Sequence, residues 1–98
     1  MDSRKTQKDQ PVDHPFVIGK AYLFRTVTMH LIGMVSGQSG KFLVLKEAVW
    51  VSESGRFMNF LAGDLAGSEL EPVGVAYLNI DSLVDAFPWA NSIPSKQQ

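Results

Sequence analysis

Two histidines, His14 and His30, and the carboxylates of Glu47, Asp81 and Asp85 are the side chains that acid–base or metal chemistry would draw on first. Their spacing serves neither purpose. Neither histidine has neighbours at metal-ligand spacing. His30 and Glu47 would face each other across a hairpin turning at residues 37–40, where a cross-strand charge pair on a sheet surface is the ordinary explanation. Asp81 and Asp85 lie too far apart along an extended strand to share one site, and solvated strand ends account for them. No nucleophile elbow, zinc-protease helix, phosphate loop or dinucleotide fingerprint occurs. The chain has no cysteine, which removes thiol nucleophiles, thiolate zinc sites and disulfides and leaves an intracellular, cytoplasmic origin as the default expectation. The expectation is a protein that is not an enzyme and uses no metal or cofactor.

Binding chemistry is left. Phosphate contacts need Lys or Arg, and those near the hairpin are Arg25, Lys41 and Lys46. Residues 11–46 carry Lys20, Arg25, Lys41 and Lys46 against Asp13, a balance of +3. Residues 47–93 carry Arg56 against Glu47, Glu53, Asp64, Glu69, Glu71, Asp81 and Asp85, a balance of −6. A polyanion is repelled by the second half, and opposite signs could draw copies together head to tail, although a solvated surface is the simpler account.

The elements that must hold these residues are organised around residues 24–51. Two apolar runs flank Gly37-Gln38-Ser39-Gly40, which predicts a β-hairpin with a four-residue loop pairing Val35 with Phe42, Met34 with Leu43, Ile32 with Leu45 and His30 with Glu47. Both faces of this hairpin are apolar, so the sheet must curl or be covered. Gly33, inside a strand, predicts a bend or a close backbone approach. Strands are predicted at 21–27, 28–36, 41–51, 73–80 and 82–87. Between the third and fourth, residues 52–72 form an insert in which Ser54 caps a short helix, Phe57, Phe60 and Leu61 share its buried face, Gly63 ends it, and 67–72 return as a loop. Pro88 stops the last strand and Trp89 covers an open end of the core. Phe16-Val17-Ile18 is a short apolar anchor, either a helical turn or an edge strand.

With 98 residues, 45% of them hydrophobic, the chain supports one core. It reads as a disordered arm at 1–10, a single domain at 11–93 and a frayed tail at 94–98. No apolar run approaches the ~18 residues of a membrane span, so no membrane partner is expected.

Five strands with a glycine in the second resemble the Sm-like small-barrel family over about residues 24–87. The echo is Leu31-Ile32-Gly33-Met34-Val35-Ser36-Gly37 followed by Phe42-Leu43-Val44-Leu45-Lys46-Glu47-Ala48. Arg25-Thr26-Val27-Thr28, Ala48-Val49-Trp50 and Ser54-Gly55-Arg56-Phe57 are similar to small Sm-like proteins of phage and marine metagenomic sequence. The resemblance implies a mainly β, five-stranded, strongly bent antiparallel small barrel with a helical insert between strands 3 and 4. It also implies a homo-oligomeric ring, five or six subunits favoured, made by pairing strand 4 with strand 5 of the next copy. Val75, Tyr77, Leu83 and Val84 would then lie at the subunit interface. Family members bind single-stranded RNA around the pore, and the corresponding positions here are Gln38, Lys41, Phe42 and Asn79. The chain departs from the family there, with Gln38 and Phe42 where an Asp and an Asn are usual and Asn79-Ile80 where an Arg-Gly step is usual. RNA binding is therefore expected to be weak. A phage virion or assembly protein in the host cytoplasm, contacting phage or host proteins and no nucleic acid, is the other reading.

Overall fold

The computed structural model describes residues 13–96. The arm predicted at 1–10 lies outside the described residues. Five strands, β1 (Ala21–Thr26), β2 (His30–Ser39), β3 (Phe42–Glu53), β4 (Glu69–Asn79) and β5 (Leu83–Pro88), form one antiparallel sheet in the order β4-β3-β2-β1-β5. A five-residue helix, α1 (Phe57–Leu61), interrupts the path from β3 to β4, and a single 3₁₀ turn at Ile80–Ser82 joins β4 to β5. The architecture is mainly β, with the helical insert between strands 3 and 4.

Alternate residues of each strand feed two cores on opposite faces of the sheet. Leu23, Ile32, Val49, Val51 and Leu70 bury themselves on one face, covered by Phe60 of α1 and by Trp89. Phe24, Leu31, Val35, Leu43, Leu45, Ala48 and Leu78 fill the other. Leu78 comes from one outer strand, and Leu83 and Ala86 of the other outer strand pack on the same cluster. Two strands at opposite ends of the sheet can share a cluster only if the sheet curls around it. The curl stops short of a closed ladder, because β4 and β5 pair only with β3 and β1 respectively. Phe16 seats on this second cluster with its ring 5.1 Å from Phe24, held by a turn rather than by a helix or strand.

The bends have named causes. A Cβ on Gly33 would stand 3.0 Å from the Cβ of Leu45, so glycine lets the second strand cross this close to β3 and any side chain there would force Leu45 to give way. On the β3–β4 ladder, Ala48 pairs with Gly74 between two register shifts. Glu47, with φ of 51°, and Gly74, with φ of 83°, both take left-handed backbone at that bulge. There β3 and β4 exchange faces, which is why Leu43 and Leu45 serve one core while Val49 and Val51 serve the other.

The hairpin loop is two residues, Gly40 and Lys41, rather than four, since Ser39 pairs with Phe42 and Gln38 with Leu43. Shifts near Gly33 and Ser36 then move every later partner: Val35 faces Leu45, Met34 faces Lys46, Ile32 faces Val49 and His30 faces Val51. His30 and Glu47 are therefore not partners. The fourth strand starts at Glu69, not at 73, because β3 runs on to Glu53 and templates it. Pro72 is tolerated inside it because β4 is an edge strand. Ser54 does not cap α1: the cap position is Arg56, without a side-chain bond, and the Ser54 hydroxyl donates to the Gly55 carbonyl. The helix is instead fastened at its other end, where Asn91 Nδ2 donates to the Leu61 carbonyl at 3.0 Å and Gly63 follows the last turn as predicted. Phe60 is fully buried, and Phe57 and Leu61 are half-buried on the same cluster. No helix among the described residues is long and apolar enough to cross a membrane.

Candidate functional site

The tip of the β2–β3 hairpin and the turn between β4 and β5 meet at one end of the sheet. Phe42 pairs with Asn79 across β3 and β4, and Ile80 N donates to the Lys41 carbonyl at 2.8 Å. Gln38, Lys41, Phe42 and Asn79, distant in sequence, are thereby collected in one place. Each has a local role as well. Gln38 Nε2 donates to the Gly40 carbonyl at 3.0 Å. His14 Nδ1 accepts from Phe16 N, so Nε2 is the protonated nitrogen and donates to Gln38 Oε1 at 2.8 Å. Asn79 Oδ1 accepts from Asp81 N and begins the 3₁₀ turn. Lys41 Nζ lies 3.0 Å from Asp81 Oδ2, and both side chains are more than half exposed. Phe42 is 44% exposed, so it is not the core residue that a Phe after a tight turn would commonly be.

The arrangement offers a flat aromatic side chain beside amide groups and a cation already neutralised by a carboxylate. That is weak equipment for a phosphate backbone. Asp81 and Asp85 are solvent-accessible, as expected of strand ends, and each is also paired: one with Lys41 and the other with Arg25. The basic and acidic halves of the sequence thus meet inside the chain.

The Arg25–Asp85 pair bridges β1 and β5 through Nε–Oδ1 at 2.6 Å and Nη2–Oδ2 at 2.5 Å. The guanidinium also stands 4.8 Å from the Phe57 ring centroid and 5.2 Å from that of Phe87, tying α1 to the last strand. The hydrogen bonds from Arg25 lower the Asp85 pKa and raise that of Arg25. Because the folded carboxyl is depressed below its unfolded value, its contribution is present above the unfolded pKa and is lost as pH falls through the folded one. Urea denaturation from pH 6 down to about pH 3 should therefore show Asp85→Asn with a shallower loss of stability than the parent. Parallel curves would mean that the bidentate pair does not persist in solution.

The other candidate surface is the pair of sheet edges. Val75 and Tyr77 on β4 are exposed, as is Val73 beside them, and Val84 on β5 is 63% exposed. Leu83 differs: it turns inward onto the second core. Among the described residues no group of three or more His, Cys, Asp or Glu could hold a metal ion. The sequence reading missed Asn91, whose role at the helix end depends on a contact 30 residues away. It also missed the ring pair around Arg25.

The fold defines a small antiparallel β protein with an α-helical insert. Comparison with family models, curated proteins and solved structures finds no match for the chain.

Proposed function

We propose that this protein is a non-enzymatic, ring-forming Sm-like module that assembles with copies of itself and at most weakly contacts RNA at the hairpin tip. The observation that carries the reading is the pair of one-sided strands, β4 and β5, at opposite ends of the sheet order. Among the described residues each leaves a row of backbone donors and acceptors without a ladder partner, and natural sheets cover or blunt such edges. The start of β4, residues 69–72, is blunted by charge and proline, whereas Val73, Val75 and Tyr77 further along it and Val84 on β5 are exposed and apolar, and neither strand carries a lysine. Because the two edges are different surfaces, their pairing is head to tail, and a head-to-tail contact closes into a ring when the rotation allows. The Gly33 crossing and the curl around the second core are what the Sm-like resemblance implies. Native mass spectrometry should give a closed set of copies, five or six favoured, and a persistent 10.8 kDa species at micromolar concentration would overturn the reading.

Weak RNA contact follows from the charges. Lys41 is paired with Asp81, and Arg25 is committed to Asp85, so Lys46 is the remaining cation of the hairpin. Fluorescence anisotropy with U-rich and A-rich oligonucleotides should show weak binding that fades between about 50 and about 200 mM salt, without base preference. Tight, base-selective binding that survives the higher salt would make Gln38, Phe42 and Asn79 a working pocket.

A further inference from the structure

At the end of the sheet away from the hairpin tip, where β1 turns into β2, Val27, Met29, His30, Trp50 and Ser52 line a groove of about 200 Å³. Its walls are mixed: Thr28, His30 and Ser52 bring polar groups beside Val27 and Met29, which are exposed, and the Trp50 indole, which is 38% exposed. Trp50 pairs directly with Glu71 on β4, which sets the Glu71 side chain beside the indole. Further along the same ladder Glu53 faces Glu69. Two carboxylates directly opposite each other destabilise a sheet unless a cation lies between them.

None is supplied among the described residues. The ion pairs among the described residues are Arg25–Asp85 and Lys41–Asp81. Glu53 accepts from Gly55 N, Glu69 from the Ser52 hydroxyl, and none of the three glutamates meets a cation. The groove therefore joins an exposed indole to a track of uncompensated negative charge. Trp is the best aromatic partner for a cation, and a carboxylate beside it adds a charge-assisted hydrogen bond. A polyanion is repelled there, and a purely apolar partner would strip water from Glu71 without replacing it.

We propose that this groove docks a cationic, extended segment of a partner protein, with Lys or Arg side chains over Trp50 and against Glu71 and apolar side chains between Val27 and Met29. Glu53 and Glu69 continue the track for further basic residues. The site is separate from the Val75–Tyr77 stretch of β4, so it does not depend on ring formation.

The chain has two tryptophans, and Trp89 is 5% exposed, so a surface ligand should perturb the emission of Trp50. The probe is a labelled peptide of alternating Lys and Leu, compared with its Glu-Leu counterpart and with oligolysine. Saturable binding of the Lys-Leu peptide with a shift in emission is expected. The affinity should fall about tenfold in Trp50→Ala and in Glu71→Gln and weaken with salt. Glu71 is exposed and Glu71→Gln preserves shape, so its melting curve should stay close to the parent's, while Trp50→Ala removes partly covered apolar area and is compared with the parent below the onset of its own melt. Absence of binding, an affinity unchanged from the parent's in either variant, or equal binding of the Glu-Leu peptide would overturn the proposal. So would oligolysine binding as tightly as the Lys-Leu peptide, since the groove would then have no part. Loss of Trp50 quenching by acrylamide as the protein alone is concentrated would show another copy as the occupant, which also overturns it.

Discussion

Phe60→Ala should remove about 3–5 kcal/mol of stability, the range for deleting a phenyl ring from a packed core. A domain of this size has about 5–15 kcal/mol in all, so the variant should be partly or wholly unfolded at 37 °C. The reason is the weakness of everything else that holds the insert. α1 is five residues long, lacks a side-chain N-cap and is too short to persist on its own. What fixes it is the burial of Phe60 on Leu23, Ile32, Val49 and Val51, with the Trp89 ring 5.3 Å away. Losing the ring opens a cavity under the insert and leaves that face of the sheet covered by Trp89 and the half-buried Phe57 and Leu61. Thermal melting followed by near-ultraviolet circular dichroism would register this through Trp89. An unchanged melt, with protease cleavage near Arg56 in the intact protein, would mean that the insert is a mobile loop in solution.

A charge on either sheet edge should abolish assembly, and a mixture of the two damaged forms should recover part of it. Val75 on β4 is 54% exposed and Val84 on β5 is 63% exposed, so glutamate at either position leaves the cores intact. It places a desolvated charge in the contact. Val75→Glu and Val84→Glu are each expected to run as monomers by analytical ultracentrifugation. Mixed, the intact β5 of the first and the intact β4 of the second can still pair once, and the remaining two edges are both blocked. The mixture should therefore stop at a heterodimer. Rings that persist in either variant would exclude these edges, and a mixture that stays monomeric would show that β4 and β5 are not each other's partners.

Strand identity was legible in the sequence where apolar, β-branched and aromatic residues run between turn signals, as in residues 21–27 and 41–51, even though burial on both faces leaves no clean period of two. Register was not. The Gly37-Gln38-Ser39-Gly40 run contains every signal of a four-residue loop. The ladder nevertheless continues through Ser39, because small residues are as compatible with a paired, twisted end as with a turn. Pro72 suggested a loop for the same local reason, and only the edge position of β4 makes it harmless. The doubly apolar hairpin correctly called for cover on both sides, yet its two covers, the insert with Trp89 and the curl of the sheet, depend on distant contacts. At the hairpin tip, Gln38, Lys41, Phe42 and Asn79 were selected by resemblance, and the β3–β4 pairing does bring them together. The ion pairs that neutralise Lys41 and Arg25 join residues 40 or more positions apart, and charge counting along the chain does not reveal them.

The strand order also has a kinetic consequence. β1 to β4 are laid side by side in the order of the chain, so three of the four ladders can zip from neighbouring segments. The fourth, between β1 and β5, closes a loop that leaves Arg25 and Asp85 60 residues apart in sequence. Closing the longest loop carries the largest entropic cost, so β5 is expected to join a meander already in place. The bidentate pair and its two rings then act as a late latch. Weakening that latch should speed unfolding and leave the folding rate nearly unchanged, as for any contact absent from the transition state.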